Sequence, residues 1–405
     1  MQKSNRDQLP VVVAGAGPTG LMCALALGKQ GIPVIVLESE RGLTRDLRAG
    51  SFHPATLDMM APYGITARME QEGIRVRHWQ IRDRSGELVA QFDLGLLAGE
   101  TEHPYRLHLE QHRLTPIQLE LIRSGTQAEV HFGYSVTGVE NRADRVLVHI
   151  EGDDGPATIE ASWLIGADGG RSTVRKSIGI EFEGFTWPEQ FLVLSTPYDF
   201  AQHGFAMNVY IADPAEWIAL FKMPDAGPPG LWRIVFPTAE RDDAAILSAD
   251  NVERKIQSFI ARRAPYEVRY KSVYRVHQRV CKTFRSGRVL LAGDAAHVNN
   301  PLGAFGLNSG IHDAVSVAEK LGRVWRGEAD EALLDLYVRQ RRVAAVEQVE
   351  RMSIRNKRQL EERDPGVQRQ RLQELIAIAN DPVRARSHLL ETSMITGLRQ
   401  STQVR

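Results

Sequence analysis

The sequence predicts an α/β protein in which a parallel sheet with flanking helices is interrupted by an inserted mixed or antiparallel sheet and followed by C-terminal helices. Three observations predict this architecture. A strand, a glycine-rich turn and a helix succeed one another near the N-terminus. Two later apolar strands, at residues 163–166 and 289–292, each lead into an aspartate and a glycine-containing turn. Residues 180–275 contain segments that alternate in polarity as antiparallel strands do.

The composition is that of a folded, water-soluble protein. The chain has 405 residues, enough for two or three domains, with 43% hydrophobic and 25% charged residues. Fifty Lys and Arg offset fifty Asp and Glu, so the formal net charge is 0 and no global field would hold a nucleic acid. Cys23 and Cys281 lie in unrelated contexts without a CxxC, which argues against a disulfide framework and fits a reducing compartment such as the cytoplasm.

The N-terminal strand, turn and helix carry a dinucleotide-binding fingerprint. An apolar strand precedes GAGPTG at residues 15–20, and a second apolar strand ends at Glu38. Gly15 permits the tight turn, Gly17 lets the backbone approach a pyrophosphate, and Gly20 lets the helix pack closely on the strand. Glu38 is placed to accept hydrogen bonds from a ribose. An acid favours NAD or FAD over NADP here, because a carboxylate would repel a 2′-phosphate.

The same stretch also resembles a membrane span, since residues 9–28 carry no charge. Three glycines and Pro18 lie in its middle, where they would interrupt a continuous helix. It also lacks the basic residues and cleavage site of a signal peptide. The stretch is therefore predicted to be strand, turn and helix, and no membrane span is expected.

Two later segments repeat the pattern of a strand that ends in an acid. Asp168 follows one strand in GADGGRSTVR, and Asp294 follows another in GDAAH, ahead of a helix predicted over about residues 311–325. Each aspartate alone is equally well explained as a helix cap or turn former. Ligands of α/β folds bind at the carboxyl ends of strands, however, and a protein that binds only NAD needs one such segment. Three segments favour a larger ligand with an adenosine end, a ribityl chain and a ring, which describes FAD.

In combination these motifs resemble those of the single-component FAD-dependent aromatic hydroxylases, the group of the para-hydroxybenzoate and phenol hydroxylases. GAGPTG with Glu38, the Arg48-Ala49-Gly50 that follows, GADGGRSTVR and GDAAH…PLGAFGLNSGIHDA stand in the order typical of that family. The resemblance implies a Rossmann-like FAD-binding domain, an inserted mixed or antiparallel-sheet substrate domain and C-terminal helices. The implied bounds are 1–75, 99–180 and 275–330 for the first, 76–98 and 181–274 for the second, and 331–405 for the third.

The resemblance also implies which residues bind the cofactors. Asp294 would bind the ribityl hydroxyls, and Leu307 and Asn308 would present backbone amides to the flavin where the helix dipole stabilises a reduced ring. Arg48 and Arg171 would receive NADH or NADPH, which must enter the flavin cleft transiently because no second GxGxxG is present. The full implied FAD set is Gly15, Ala16, Gly17, Gly20, Glu38, Arg48, Gln111, Asp168, Asp294, Leu307 and Asn308.

The inserted segment is predicted to form a sheet over the flavin. Residues 204–211 and 217–223 alternate as antiparallel strands on either side of a turn. Their aromatic and Met side chains are candidates for a pocket that takes a planar ring, although such residues on strands more often belong to the core. The hydroxybenzoate hydroxylases hold a carboxylate with an arginine that residues 204–211 lack, and Arg233 on the next strand could serve instead. The candidate substrate-lining residues are Met207, Tyr210, Trp217 and Pro301.

The sequence departs from the family pattern at two places. Phe305 stands where the family often has Gln, and Gly50 stands where some phenol-type relatives have an acidic or histidine base. His53, three residues further on, and Tyr210 are the candidate catalytic bases, while a core or capping role is the other explanation for His53.

Two further patterns have plainer explanations. His108 and His112 have a spacing that would place both on one face of a helix, but the pattern is not HExxH, so no metal is expected. Seven basic residues between 339 and 358 interleave with glutamates, which predicts a solvated helical face or a subunit contact. A homodimer is therefore left open.

The predicted function is hydroxylation of a phenolic or heteroaromatic small molecule through a flavin C4a-hydroperoxide, with FAD as cofactor, NADH or NADPH as reductant and O2 as co-substrate. Two alternatives remain open. One is an FAD enzyme of the same fold that performs epoxidation, dearomatisation or reduction. The other is a flavin-binding protein without turnover. The Asp168 and Asp294 segments disfavour a plain NAD-dependent dehydrogenase.

Overall fold

The computed structural model describes residues 9–45, 49–225 and 230–405, and these ranges contain twenty strands and thirteen α-helices. The strands are β1 (Val11–Ala14), β2 (Val34–Glu38), β3 (Ser51–Phe52), β4 (Ile74–Val76), β5 (His78–Asp83), β6 (Leu88–Asp93), β7 (Arg106–His108), β8 (Ala128–Phe132), β9 (Ser135–Asn141), β10 (Val146–Gly152), β11 (Gly155–Ala161), β12 (Trp163–Gly166), β13 (Phe182–Thr196), β14 (Asn208–Ala212), β15 (Ile218–Met223), β16 (Leu231–Thr238), β17 (Tyr270–Cys281), β18 (Arg285–Ser286), β19 (Val289–Leu291) and β20 (His297–Val298). The helices are α1 (Pro18–Gly28), α2 (Pro54–Met60), α3 (Ile65–Glu72), α4 (Gln111–Gly125), α5 (Thr173–Ser177), α6 (Asp243–Ile246), α7 (Ala249–Phe259), α8 (Phe305–Trp325), α9 (Ala332–Val343), α10 (Arg351–Leu360), α11 (Pro365–Ala379), α12 (Pro382–Thr392) and α13 (Ile395–Thr402).

A six-stranded sheet organises the first part of the fold, in the strand order β18-β19-β12-β1-β2-β8. All neighbours are parallel except β18 and β19. Ala14, the last residue of β1, pairs with Leu37 on one side and Gly166 on the other, and Gly166 pairs with Leu291. The carboxyl ends of these four strands therefore open on the same edge of the sheet, as predicted for the three nucleotide-site segments.

Apolar strands and helices bury this sheet on both faces. Val11, Val12 and Val13 are 0% exposed, and α1 is buried along nearly its whole length between the sheet, α4 and α8. The three-stranded sheet β11-β10-β9 contributes Val146 and Val148 to the same core. The uncharged stretch 9–28 is thus strand, turn and helix, as predicted. Across residues 9–45, 49–225 and 230–405, no helix has the length and apolarity needed to cross a membrane.

An eight-stranded sheet in the order β20-β17-β13-β16-β15-β14-β5-β6 forms the second part of the fold. Its neighbours are antiparallel except for β14 and β5, which confirms the predicted mixed or antiparallel sheet. Side chains alternate between two cores. On β14, Val209 and Ile211 face α6 and α7, whereas Tyr210 and Ala212 face the opposite side, where the C-terminal helices α10 to α13 pack.

The predicted fold class is confirmed, while the domain bounds remain a prediction. The C-terminal segment begins with α9 close to residue 331, and β5 and β6 join the large sheet within the predicted range 76–98. The boundary between residues 274 and 275 falls inside β17, and β20 also belongs to the large sheet. The two sheets therefore share the segment that leads from β17 through β20 to α8.

Candidate functional site

The glycine-rich turn between β1 and α1 is tightly packed at Gly15 and Gly20 but leaves space for a ligand beside Gly17. Gly15 has a φ of +101°, and a Cβ at this position would lie 2.5 Å from the Ala167 carbonyl oxygen. A Cβ at Gly20 would collide with the Gly15 carbonyl oxygen. At Gly17, by contrast, a Cβ would meet no atom of a described residue within 4 Å. The backbone is thus accessible at Gly17, immediately before the N-terminus of α1, where an anion is stabilised.

Glu38 ties the end of β2 to this turn. Its Oε2 accepts a 2.7 Å hydrogen bond from the Ala16 amide, and its Oε1 accepts one of 3.0 Å from the Glu40 amide. The carboxylate is half-buried at the carboxyl edge of the sheet. Its position agrees with the predicted ribose contact, which remains a prediction.

Asp168 follows β12, and its two carboxylate oxygens fit the two explanations considered for it, a helix cap and a ligand contact. One carboxylate oxygen, Oδ2, accepts a 3.0 Å hydrogen bond from the Val174 amide in the first turn of α5. The other, Oδ1, is buried and has no hydrogen-bond partner among the described residues. Arg171 lies exposed in the same turn. The acid therefore stabilises a helix start and still holds one acceptor atom for a ligand.

The turn after β19, which carries Asp294, lies against the glycine-rich turn and against the segment that carries Asp168. Arg175 Nη1 donates to the Ala295 carbonyl at 3.0 Å, which joins α5 to the turn after β19. Thr19 of the glycine-rich turn packs so closely on Gly293 and Gly310 that a Cβ on either would lie about 2.5 Å from its hydroxyl oxygen. Asp294 in this turn is exposed. Glu38, Asp168 and Asp294 therefore converge at one edge rather than around separate cavities.

A buried ionic network holds the Asp294 turn on α8. Asp313 Oδ2 accepts hydrogen bonds from the Gly293 amide at 2.9 Å and from His297 Nε2 at 2.7 Å. Asp313 Oδ1 accepts one of 2.6 Å from Arg341 Nε of α9. Burial would raise the pKa of Asp313, but the Arg341 charge and the His297 contact lower it to about 2. The network was not predicted from the sequence, because its members come from three separate segments: the turn at 293–297, α8 and α9.

The network predicts an acid-dependent loss of stability. The pKa of Asp313 is lower in the folded chain than its ordinary value of 3.8, so its contribution is complete above that value and disappears as the pH falls towards about 2. The contribution should be on the order of 2 kcal/mol. Denaturant titrations at a series of pH values should show the stability difference between the wild-type protein and Asp313→Asn constant near neutral pH and shrinking below about pH 4. A difference that does not vary with pH would contradict this assignment.

The start of α8 lies beside the segment that follows the Arg48-Ala49-Gly50 motif. The helix begins at Phe305 rather than near residue 311, so Leu307 is in the first turn, where backbone N–H groups have no partner within the helix. The Asn308 side chain donates to the Ser51 carbonyl at 2.9 Å and accepts from the His53 amide at 2.9 Å. Through these two hydrogen bonds, the Asn308 side chain connects α8 to β3 and to the residue that follows it.

These residues fit an FAD molecule. No described residue blocks the approach to Gly17, and none is a hydrogen-bond partner of the buried atoms Asp168 Oδ1 and Ser51 Oγ. Gln111 is the first residue of α4, and its backbone N–H donates to the Ala49 carbonyl at 3.0 Å. Gln111 therefore lies beside the segment that contains Ala49 and Gly50. Arg48, predicted to face the pyrophosphate and the nicotinamide cofactor, lies outside the described residues.

A second group of polar side chains lies between the small sheet β3-β7-β4 and the inner face of the large sheet. Along β7 and into α4, Leu107 and Leu109 are 0% exposed in the first core, so Arg106, His108 and Glu110 point to the opposite side. There Arg106 lies over the Trp79 ring at 5.8 Å and His108 lies 6.0 Å from Phe221. We call Arg106, His108, Asn208 and Tyr210 the polar pocket.

The polar pocket holds several unsatisfied atoms. Among the residues that the structure describes, no hydrogen-bond partner is found for Arg106 Nε and Nη1, His108 Nε2, Tyr210 Oη or either amide atom of Asn208, and all four residues are buried. The Tyr210 hydroxyl lies near the Arg106 guanidinium and the Gly303 backbone amide but forms no hydrogen bond of standard geometry with them. Buried polar groups are normally satisfied, so such a cluster indicates a ligand site.

The protonation states of the two candidate bases differ. Burial raises the pKa of Tyr210, an effect that the Arg106 charge partly offsets, so the hydroxyl keeps its proton at neutral pH and suits a donor role. Burial and Arg106 lower the pKa of His53 well below its ordinary value. His53 Nε2 is 2.7 Å from the Gly303 carbonyl, which makes it the donor, and leaves Nδ1 as an unpaired acceptor. His53 occupies the N-cap of α2 without a side-chain capping bond.

The other predicted substrate residues, and the two histidines whose spacing was considered for a metal, are more dispersed. Pro301 is exposed in the loop before α8, and Met207 is 44% exposed. Trp217 is 0% exposed and donates its indole N–H to Glu361 at 2.8 Å, a core position that does not favour substrate contact. His108 lies on β7 and His112 in α4, so the two are not on one helix. Within the described residues, no group of three or more potential ligands is placed to hold a metal.

Comparisons with known proteins agree with this geometry. A family model described as "FAD binding domain" matches residues 8–353. The chain is 34% identical over 363 residues to the para-nitrophenol 4-monooxygenase of Pseudomonas sp. (strain WBC-3), covering 88% of each protein. It is 33% identical over 360 residues to the 6-hydroxy-3-succinoylpyridine 3-monooxygenase HspB of Pseudomonas putida (strain DSM 28022 / S16), covering 88% of this chain and 90% of that protein.

The chain belongs to the FAD-dependent aromatic hydroxylases. It is a flavin-dependent monooxygenase of this family. The crystal structure of the p-nitrophenol 4-monooxygenase PnpA from Pseudomonas putida DLL-E4 superposes with a TM-score of 0.91 at 32% identity, over 96% of this monooxygenase and 98% of that chain. The Diels-Alderase PyrE3 shares the fold alone, with a TM-score of 0.79 at 22% identity.

Proposed function

We propose that this monooxygenase hydroxylates a one-ring phenol or hydroxypyridine in the polar pocket, with FAD bound along the carboxyl edge of the parallel sheet. NADH or NADPH is the reductant and O2 the co-substrate. The observation that carries the proposal is that α8 and the loop before it lie against both sites. Asn308 contacts the segment after the Arg48-Ala49-Gly50 motif, while Gly303 accepts a hydrogen bond from His53 and lies near Tyr210.

Each group of residues would have one task in holding the cofactor. Gly15, Ala16, Gly17 and Gly20 would bind the pyrophosphate at the start of α1, and Glu38 would bind the adenosine ribose. Bound FAD would supply the redox chemistry that transfers one oxygen atom of O2 to the ring. The further residues proposed to contact FAD or the nicotinamide cofactor are Arg48, Gln111, Asp168, Arg171, Asp294, Leu307 and Asn308.

The surroundings of the polar pocket would exclude water from the reaction. Trp79 and Leu302 are nearly fully buried beside it, and Phe221 packs edge-on against Tyr210 at 5.9 Å. Water exclusion limits side reactions and strengthens each electrostatic contact made inside the pocket. Of the predicted catalytic residues, Tyr210 would donate a hydrogen bond to the substrate and the free Nδ1 of His53 would accept one.

The relatives support a small substrate. The two proteins that this chain matches over 88% and 90% of their lengths are named for para-nitrophenol and 6-hydroxy-3-succinoylpyridine, each a single ring with a polar substituent. An anhydrotetracycline monooxygenase of Streptomyces rimosus, named for a larger substrate, is covered over 67% of its length.

The test is an activity panel on the purified protein. We expect a yellow protein that oxidises NADH or NADPH faster when nitrophenols, other phenols or hydroxypyridines are added, with a product heavier by one oxygen atom. Oxygen uptake and product mass separate hydroxylation from reduction, and product structure separates it from epoxidation or dearomatisation. A yellow protein whose NAD(P)H oxidation responds to no aromatic compound in the panel would contradict the proposal.

A further inference from the structure

Two buried arginines face the space between the two sheets, and they differ in how their charge is balanced. Arg233 Nη2 forms a 2.6 Å ion pair with Glu110 Oε1, and both side chains are less than 10% exposed. Arg106 is 3% exposed, and among the residues that the structure describes it forms no ion pair. The guanidinium of Arg233 is therefore neutralised within the protein, whereas that of Arg106 is not.

The ionisable groups around Arg106 cannot supply the missing negative charge. Those within electrostatic reach come from four elements: His53 before α2, His108 on β7, Tyr210 on β14 and His388 on α12. Burial lowers the pKa of the three histidines, to about 4 for His108 and His388, so they are neutral at neutral pH. The Tyr210 hydroxyl is also neutral. Arginine in turn stays protonated in proteins, so the pocket carries one uncompensated positive charge.

A buried charge without a counter-ion is costly, and fold stability alone does not explain it. Arg106 Nε and Nη1 have no acceptor within the described part of the chain, and the Tyr210 hydroxyl is a third donor beside them. Three converging donors around one positive charge are suited to an oxygen anion, which such charge-assisted hydrogen bonds hold most strongly. Asn208 pairs across the strands with Phe221 on the same face and adds an adaptable amide to the wall.

We propose that Arg106 is a specificity-determining residue that binds a negatively charged oxygen of the aromatic substrate, together with the hydroxyl of Tyr210. The inference rests on the proposed function and deepens it, since it assigns the substrate class as aromatic anions rather than neutral rings. The anionic oxygen can be that of a phenolate or of a carboxylate. Arg233, the arginine that the sequence suggested for a carboxylate, is already occupied by Glu110.

The experiment compares matched anionic and neutral ligands. Dissociation constants are measured from the perturbation of the flavin absorption spectrum for 4-nitrophenol against 4-nitroanisole, above the pKa of the phenol, and for benzoate against benzamide. We expect the wild-type protein to prefer the anion in at least one pair, and that pair identifies the source of the oxygen. Arg106→Gln should weaken binding of that anion by roughly 10- to 100-fold and leave the neutral ligand unchanged.

Two variants serve as controls. Arg106→Lys keeps the charge but loses the paired guanidinium donors, so it should retain only part of the preference, whereas Arg75→Gln removes an exposed arginine on the neighbouring strand β4 and should change nothing. Because Arg106→Gln removes an unpaired buried charge, its melting temperature without ligand should be no lower than that of the wild-type protein.

The inference is overturned if Arg106→Gln keeps the wild-type preference for the anion in both ligand pairs, or if the wild-type protein shows no preference in either pair. It is also overturned if Arg106→Gln melts at a lower temperature than the wild-type protein or fails to fold, because either result would show that Arg106 has a structural role. These outcomes are distinct from failure of the proposed function. A wild-type protein that responds to no compound of the activity panel would overturn the proposed function and this inference with it.

Discussion

Asp313→Ala lowers the free energy of unfolding by about 3–5 kcal/mol, because it leaves the buried Arg341 guanidinium without its counter-ion. The side chains of Asp313 and Arg341 are 0% and 4% exposed, so water cannot replace the lost partner. The change also releases the Gly293 amide, which anchors the turn that carries Asp294. Urea unfolding of the apoprotein measures the stability loss, and a weaker FAD affinity should accompany it.

An ion pair whose carboxylate is exposed provides the control for Asp313→Ala. Asp335 pairs with Arg285 at 2.8 Å, but its side chain is 56% exposed. Asp335→Ala should therefore change the free energy of unfolding by no more than about 1 kcal/mol. Equal effects of the two substitutions would show that the Asp313 network does not hold the turn after β19 in place.

Gly17→Ala weakens FAD binding by about tenfold or more while leaving the apoprotein as stable as the wild type. The added methyl group meets no atom within 4 Å in residues 9–45, 49–225 and 230–405, and the backbone φ of −72° is open to any residue. The only group it would obstruct is one that approaches the turn from outside, which is the proposed position of the pyrophosphate. Thermal melting of the apoprotein and fluorescence titration with FAD measure the two effects separately.

Gly20→Ala tests the packing of the turn itself, whereas Gly17→Ala tests access of the ligand to it. Its Cβ would collide with the Gly15 carbonyl oxygen, so the turn itself must shift, and stability and FAD affinity should fall together. If Gly17→Ala left the affinity for FAD unchanged, the pyrophosphate would not lie at this turn.

The segments that local chemistry defines could be predicted from the sequence. GAGPTG, the strand ending at Glu38 and the two later strands ending near Asp168 and Asp294 each carry their turn and strand signals within about ten residues. Their convergence followed from one general rule, that the carboxyl ends of parallel strands share an edge. The alternating strands β14 and β15 were predictable for the same reason, because period-two patterning is local.

The polar pocket could not be predicted in this way, because its residues become neighbours only when the two sheets meet. One signal was present: Arg106-Leu107-His108-Leu109-Glu110 alternates strictly, as a strand buried on both faces against different surroundings would. The sequence analysis considered His108 only as a metal ligand on a helix. The structure places it on β7, with Nδ1 2.9 Å from the Lys222 carbonyl and Nε2 turned to the pocket.

Helix α8 begins at Phe305, six residues before the predicted start near residue 311, because the turn that precedes it is shorter than its glycines suggested. Glycines at 303, 306 and 310 suggested a long turn before the helix, which was predicted from about residue 311. The turn is confined to Pro301–Ala304, where Gly303 and Ala304 have positive φ values, and the helix runs from Phe305. Gly306 and Gly310 serve close packing instead, the latter against Thr19.

The most direct test of the convergence of the three strand ends on one cofactor is a crystal structure of the protein grown with FAD. We expect the pyrophosphate at Gly17, the adenosine ribose at Glu38, and the flavin ring between Ser51 and Leu307, next to the pocket that contains Arg106. An FAD molecule bound elsewhere, or one whose ring lies away from that pocket, would contradict both the site and the function proposed for it.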